Sequence, residues 1–262
     1  MGYKSIDLAI EKGCARITLN QPDTGNTITE VFCRELLEAA NELTKHDNLR
    51  VVLLNAKGKY FSFGGDIKAF AGKFDSLPEH ILKTVSDVHV AMARLIRLDA
   101  PIIASVQGVA MGGAVSMISN CDLVISAKSA KFGAAYHQLS FPCDLGGSYG
   151  LVSRMGMARA KRFLLLGEML DAEQAEKVGL VDEVVDDADL SQATEKMVEK
   201  LGQGPTVAYG MVRQLIAKSL MQPFDAQLED EAQAMFKVSK TMDVHEGVTA
   251  FLEKRSPVFK GK

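Results

Sequence analysis

Asp144 is the side chain in this sequence best placed to do chemistry. Between Gln138 and Met155 the only other charged residue is Arg154. A lone carboxylate in apolar surroundings has a raised pKa and can serve as general base, general acid or nucleophile. The same aspartate would also serve as a helix N-cap ahead of Gly146-Gly147, and local sequence leaves both roles open. Glycines form a second kind of candidate, in three clusters: Gly64-Gly65, Gly108 to Gly113, and Gly146-Gly147. A helix that starts on glycine presents unpaired N–H groups to any ligand that approaches the backbone closely. Two such N–H groups, one from Gly64-Gly65 and one from Gly112-Gly113, would form an oxyanion hole if they converged on one carbonyl oxygen. Taken singly, each cluster also fits an ordinary tight turn.

Other motifs carry less. No GxGxxG follows an expected strand and no GxxxxGK[ST] occurs, which argues against a nucleotide-phosphate loop. Gly146 to Gly150 matches GxSxG, the serine-nucleophile elbow, and would make Ser148 the nucleophile of a hydrolase. That elbow needs a buried strand immediately before it, and Pro142 opposes one, so Ser148 is expected at a helix start. His89 falls inside an expected helix and, on its own, reads as structural or exposed. His137 and His245 carry no pattern, and Cys143 beside Asp144 reads as an inert thiol rather than a nucleophile. The 12 methionines fall mostly at helical spacing and read as core filler.

The elements that must position these residues are legible in outline. Ser5 to Ile10 and Cys14 to Leu19 alternate around Lys12-Gly13 and predict a hairpin. Thr29 can cap a helix reaching about Lys45, with Phe32, Leu36, Leu37, Ala40 and Leu43 on one face. Val51 to Leu54, Ile102 to Val106 and Leu123 to Ile125 are short apolar runs, the pattern of strands buried on both faces. A long helix is expected from Pro78 to Leu98, and a short one after Gly112-Gly113. From Met157 onward the spacing is helical almost throughout, with only Val181 to Val185 extended. An α/β body with a helical tail follows.

Composition narrows the class. The 262 residues can bury one sizeable core, and 47% hydrophobic with 24% charged is a globular balance. Lys plus Arg number 30 against 33 Asp plus Glu, so there is no bulk basic field for nucleic acid. No apolar run reaches the roughly 18 residues of a membrane-spanning helix, and the charged start does not resemble a signal peptide. The four cysteines form no CxxC pair, which argues against structural zinc and for a reduced, cytoplasmic protein.

Four segments together resemble a known family: Lys59 to Lys68 (KYFSFGGDIK), Ala100 to Gly113 (APIIASVQGVAMGG), Asn120 to Ala127 (NCDLVISA) and Glu246 to Arg255 (EGVTAFLEKR). In order and spacing they are similar to the crotonase superfamily, the enoyl-CoA hydratase/isomerase family, across essentially the whole chain. The resemblance implies a spiral of ββα units over about residues 1–200, followed by a helical oligomerisation region over 201–262. It implies a homotrimer or homohexamer acting on acyl-CoA thioesters, with no metal, no permanently bound cofactor, no membrane and no nucleic acid. Coenzyme A would enter only as part of the substrate. By motif, the N–H groups of Gly65 and Gly113 would hold the thioester oxygen. Gly25, Ser62, Phe63, Gly65, Asp66 and Ile67 would line the coenzyme A site, with Phe251 and Lys254 reaching a neighbouring subunit's ligand.

Departures from the family pattern sharpen the reading. Hydratases of the family carry two glutamates, and the matching positions here are Ser116 and about Tyr136. Neither can activate water as a carboxylate does. Asp144 matches the working aspartate of ring-type enoyl-CoA isomerases and of 4-chlorobenzoyl-CoA dehalogenase. In the dehalogenase that aspartate is a nucleophile, assisted by a histidine matching His89 and held by a tryptophan matching Tyr136. The leading expectation is therefore a double-bond isomerase with Asp144 as acid and base. The alternatives are a dehalogenase or hydrolase using Asp144 covalently with His89, an enoyl-CoA hydratase, a GxSxG hydrolase, and a non-catalytic acyl-CoA binder.

Overall fold

The computed structural model describes residues 2–219 and 221–262. The expected hairpin forms: β1 (Ile6–Glu11) pairs antiparallel with β2 (Cys14–Leu19), and Lys12 and Gly13 turn the chain at positive φ. After α1 (Glu30–Thr44), β3 (Val51–Ala56) pairs parallel with β2. Two helices, α2 (Ile67–Ala71) and α3 (Leu77–Ile96), then lead to β4 (Ile102–Val106), parallel to β3. β5 (Val109–Met111) and α4 (Gly113–Ser119) precede β6 (Leu123–Ala127), which lies beside β4. β7 (Lys131–Gly133), α5 (Gly147–Met155), α6 (Met157–Leu166), β8 (Met169–Asp171), α7 (Ala172–Lys177) and β9 (Glu183–Val185) complete the body. The main sheet has the order β1-β2-β3-β4-β6-β9, and a second, small sheet has the order β5-β7-β8.

Alternation explains the wholly apolar runs. Val52, Leu54, Ile102, Ala104 and Val124 face the principal core, which also takes in residues of α1, α3 and α4. Their neighbours Val51, Leu53, Ile103 and Ile125 face the opposite way, against Leu190 and Val198 of α8 (Leu190–Gly202). Because successive side chains point to opposite faces, a strand covered on both sides is apolar nearly throughout, and the buried exceptions Ser105 and Ser126 are hydrogen-bonded. On α1, the Thr29 hydroxyl accepts the Phe32 N–H at 3.1 Å, the expected cap. Phe32, Leu36, Ala40 and Leu43 are buried as expected, while Cys33 and Ala39 complete the face in place of Leu37, which is only half-buried.

The small sheet and α2 differ from the sequence expectation. Strands of three residues show no periodicity, so β7 and β8 were invisible, and Met169–Asp171 interrupts a region expected to be helical up to Val181. Among the described residues the tail is three helices, α9 (Thr206–Ser219), α10 (Phe224–Val238) and α11 (Met242–Glu253). Arg213 ties α9 to the body, its Nε 2.7 Å from Asp122 Oδ1 and its Nη1 3.1 Å from the Ala100 carbonyl.

Candidate active site

Four glycine N–H groups meet where the loop before α2 touches the start of α4. Gly64 sits at φ +79°, and a Cβ there would come within 2.6 Å of the Met111 carbonyl and 3.4 Å of the Gly113 nitrogen. Only glycine allows both that conformation and that approach. Two of the four donors are spent internally: Gly64 N–H on Ser62 Oγ at 3.1 Å, and Gly112 N–H on the Gly133 carbonyl at 2.9 Å. The N–H groups of Gly65 and Gly113 have no acceptor among the described residues. Unpaired backbone donors are rare inside proteins and point to a ligand oxygen or water. Both glycines line one cavity of about 530 Å³, walled on the other side by Phe70, Val85, Val88 and Phe141.

Asp144 lines the same cavity and, among the described residues, is the only acidic one that does. It lies in the segment between β7 and α5, just after Cys143 and before Leu145, which is buried and at φ +47°. Tyr136 belongs to the one-turn 3-10 helix Tyr136–Leu139, which is bounded by Ala135 and Ser140, both left-handed. Its hydroxyl donates to Asp144 Oδ1 at 2.5 Å and lies 2.8 Å from Ser116 Oγ on α4. With the carboxylate ionised, Ser116 donates to Tyr136 and Tyr136 to Asp144, a one-directional chain. Burial pushes the Asp144 carboxyl above the ordinary aspartate value, while the Tyr136 hydrogen bond pulls the other way. Burial and the Asp144 charge push the Tyr136 phenol up as well, so it stays a donor. Asp144 Oδ2 makes no hydrogen bond among the described residues, which leaves it the oxygen able to exchange a proton.

The match to known proteins extends over nearly the whole chain. The family model for enoyl-CoA hydratase/isomerase matches residues 9–262. The chain belongs to the enoyl-CoA hydratase/isomerase family. It is 34% identical over 254 residues to 1,2-epoxyphenylacetyl-CoA isomerase of Escherichia coli (strain K12), covering 97% of each chain. It is 29% identical over 263 residues to the trans-2-decenoyl-acyl-carrier-protein isomerase of Streptococcus mutans, covering 100% of each. A solved enoyl-CoA hydratase from Bacillus anthracis matches with a TM-score of 0.91 at 29% identity, over 99% of this chain and 100% of that one. The chain is thus an enzyme of the crotonase superfamily, with that superfamily's α/β fold and its helical C-terminal region.

The residues that the family pattern assigns to coenzyme A fall in two groups. Phe63 and Ile67 line the cavity, and Gly25 is pressed under the Phe63 ring, where a Cβ would clash. Ser62 is buried and accepts the Gly64 N–H; Asp66 caps α2, accepting the Ala69 N–H at 3.0 Å. Phe251 and Lys254 stand apart from this group. They lie at the end of α11, exposed to solvent and outside the cavity lining. His89 reaches the cavity from α3, and its Nε2 accepts the Leu145 N–H at 2.9 Å. Ser148 lies on the exposed side of the first turn of α5, and residues 141–146 immediately before that helix are coil and turn rather than strand, so the elbow of a GxSxG hydrolase is not formed. The Cys143 thiol is pushed up by burial, which keeps it protonated. The resemblance places Tyr136 against Asp144; the Ser116 hydroxyl behind it, and the aromatic wall in which Phe70 and Phe141 meet edge to face at 5.9 Å, had no sequence signal.

Proposed function

We propose that this enzyme moves a double bond along an enoyl-CoA thioester, with Asp144 carrying the proton. The observation that supports this reading is that, among the described residues, Asp144 is the single carboxylate in the cavity, held at Oδ1 and free at Oδ2. Asp144 takes a proton from C2 of a 3-enoyl thioester, and the electron pair spreads into a dienolate. Its oxygen lies between the N–H groups of Gly65 and Gly113, the two unspent donors. The carboxyl exchanges its proton with solvent and then protonates C4, giving the conjugated 2-enoyl product and restoring the carboxylate. Addition of water would call for a second acid–base group, and Ser116 and Tyr136 occupy each other's hydrogen-bonding capacity instead. Two of the relatives above carry the name isomerase, one for a coenzyme A thioester and one for an acyl-carrier-protein thioester. The reaction calls for no resident cofactor or metal, and coenzyme A arrives with the substrate.

Turnover of 3-enoyl-, 2-enoyl- and aryl-CoA thioesters in D₂O and H₂¹⁸O tests the proposal. Deuterium in the product without ¹⁸O is the expected result. Label at C3 of the product would mean hydration, and ¹⁸O in the Asp144 carboxyl would mean a covalent aspartyl ester; either overturns the isomerase reading. Tyr136→Phe probes the hydroxyl chain. Its hydrogen bond favours the ionised carboxylate, so losing it raises the Asp144 pKa further. The acidic limb of kcat/KM should therefore move to higher pH, with kcat falling about tenfold, as for loss of a hydrogen bond to a charged group. A limb that stays in place in the pH–rate profile would remove Tyr136 from the mechanism.

Assembly is part of the same reading. Residues 201–262 form the oligomerisation region of a homotrimer or homohexamer. α10 buries none of its residues, and Ile216, Phe224, Met235, Phe236, Phe251 and Leu252 are large apolar side chains left exposed on the tail. Lys254, at the end of α11, supplies a charge to a phosphate of the neighbouring subunit's coenzyme A. Lys254→Ala should raise KM for full CoA thioesters by about five- to tenfold, yet leave pantetheine thioesters nearly unaffected. Equal effects on both substrates, or a monomer in sedimentation velocity, would count against this clamp. No helix among the described residues is long and apolar enough to cross a membrane. The free cysteines fit the reducing cytoplasm, where we place the enzyme.

A further inference from the structure

Leu145 is a strained residue next to the proposed base. Its φ of +47° is left-handed, its side chain is buried, and Gly146 follows at φ +76°. For a leucine this conformation is unfavourable and persists only when the surroundings over-determine it. Here two side chains from separate helices do so. His89, on the 20-residue α3, accepts the Leu145 N–H at Nε2, 2.9 Å away. Asn120, the residue that ends α4, donates its Nδ2 to the Leu145 carbonyl at 3.1 Å and to the Ser116 carbonyl at 2.8 Å. Both backbone polar groups of Leu145 are thus held by side chains. Asn120 also joins the Asp144 turn to the helix that begins at Gly113. The Asp144 carbonyl in turn accepts the Gly147 N–H at 2.8 Å, which completes the reversal into α5.

We infer that His89 and Asn120 are positioning residues that clamp Leu145 in its left-handed turn and so aim the Asp144 carboxylate at the Gly65–Gly113 donors. An Nε2 that accepts a backbone N–H carries no proton, so the ring is the neutral tautomer with its hydrogen on Nδ1. No hydrogen bond joins His89 to Asp144 among the described residues. The histidine therefore acts through the backbone of the next residue and not as an acid or base on the carboxylate. A base displaced by about an ångström can lose about a hundredfold in rate, so the clamp matters to turnover even though it touches no reacting atom.

This inference rests on Asp144 as the base, and the test separates the two. His89→Leu removes the acceptor, while His89→Gln places an amide oxygen near the Nε2 position without acid–base capacity. In His89→Leu the Leu145 amide should exchange with D₂O at least about tenfold faster. Its kcat on 3-hexenoyl-CoA should fall about ten- to thirtyfold while KM stays within about twofold. His89→Gln should restore slow exchange and most of kcat. Unchanged Leu145 exchange in the leucine variant overturns the clamp. A glutamine variant as impaired as the leucine one also overturns it, because that result marks a proton-transfer role. If His89→Leu does not fold by circular dichroism, Asn120→Ala releases the carbonyl side of the same residue. A comparable kcat loss at constant KM then supports the clamp, and undiminished kcat overturns it. Should Asp144→Asn turn over normally, the isomerase reading falls, and the exchange measurement still decides whether His89 holds Leu145.

Discussion

Asp144→Asn should lower kcat by about 10²–10⁴ while leaving the fold and the affinity for CoA thioesters in place, the usual worth of a positioned general base. The carboxamide is nearly isosteric, and its oxygen can still accept the Tyr136 hydroxyl that holds Oδ1. What it loses is the free oxygen that takes up a proton. Stability should move the opposite way. Burial holds the native Asp144 pKa above the unfolded value, so the native state favours the protonated form. Native stability therefore falls as pH rises from the unfolded pKa through the folded one, and at neutral pH the ionised carboxylate is a net destabilising group. A neutral asparagine removes that penalty. The variant's Tm should equal or exceed the wild type's at pH 7, with the gap closing in acid, where Asp144 itself is protonated. Loss of turnover together with an undiminished Tm separates a missing base from a damaged site. Unchanged turnover would remove Asp144 from the chemistry.

How far the site was legible depended on the length of pattern each part needs. β3, β4 and β6 are buried on both faces, so apolar residues dominate them, and runs such as Val51 to Leu54 announce themselves. α1 and α3 are long enough for a helical stripe, and their ends fell within one or two residues of expectation. β7, β8 and the five-residue α2 are too short for any period. The glycines were visible as a composition anomaly, but which two N–H groups stay unspent depends on Ser62 Oγ and the Gly133 carbonyl, contacts that no spacing reveals. Asp144 stood out through its isolation. Tyr136 was placed only through the family resemblance, and the parts played by Ser116 and Asn120 were not visible, because they arise from chain reversals at Ala135, Ser140 and Leu145, left-handed residues that carry no glycine to mark them.

Gly113→Pro should lower kcat by roughly 10²–10³, the effect of removing one oxyanion donor, about 3–4 kcal/mol in the transition state. The substitution suits its position: Gly113 is the first residue of α4, where a missing N–H breaks no helical hydrogen bond. Gly112 before it is at φ +52° and ψ −120°, and the ring restricts the residue it follows, so circular dichroism and sedimentation must first show an intact protein. Sterics need a separate control. A Cβ at position 113 would lie 3.0 Å from Ile28 Cδ1 and 3.4 Å from both Asp144 Oδ1 and Leu145 Cδ1. A side chain there crowds Ile28 and comes into van der Waals contact with the proposed base. Gly113→Ala adds the same Cβ and keeps the N–H, so it measures the steric part alone, about tenfold or less if the flexible Ile28 end gives way. The difference between the proline and alanine variants then isolates the hydrogen bond. If both variants lose the same factor, the second donor does not lie at Gly113, and the enolate oxygen must be held by Gly65 with some other group.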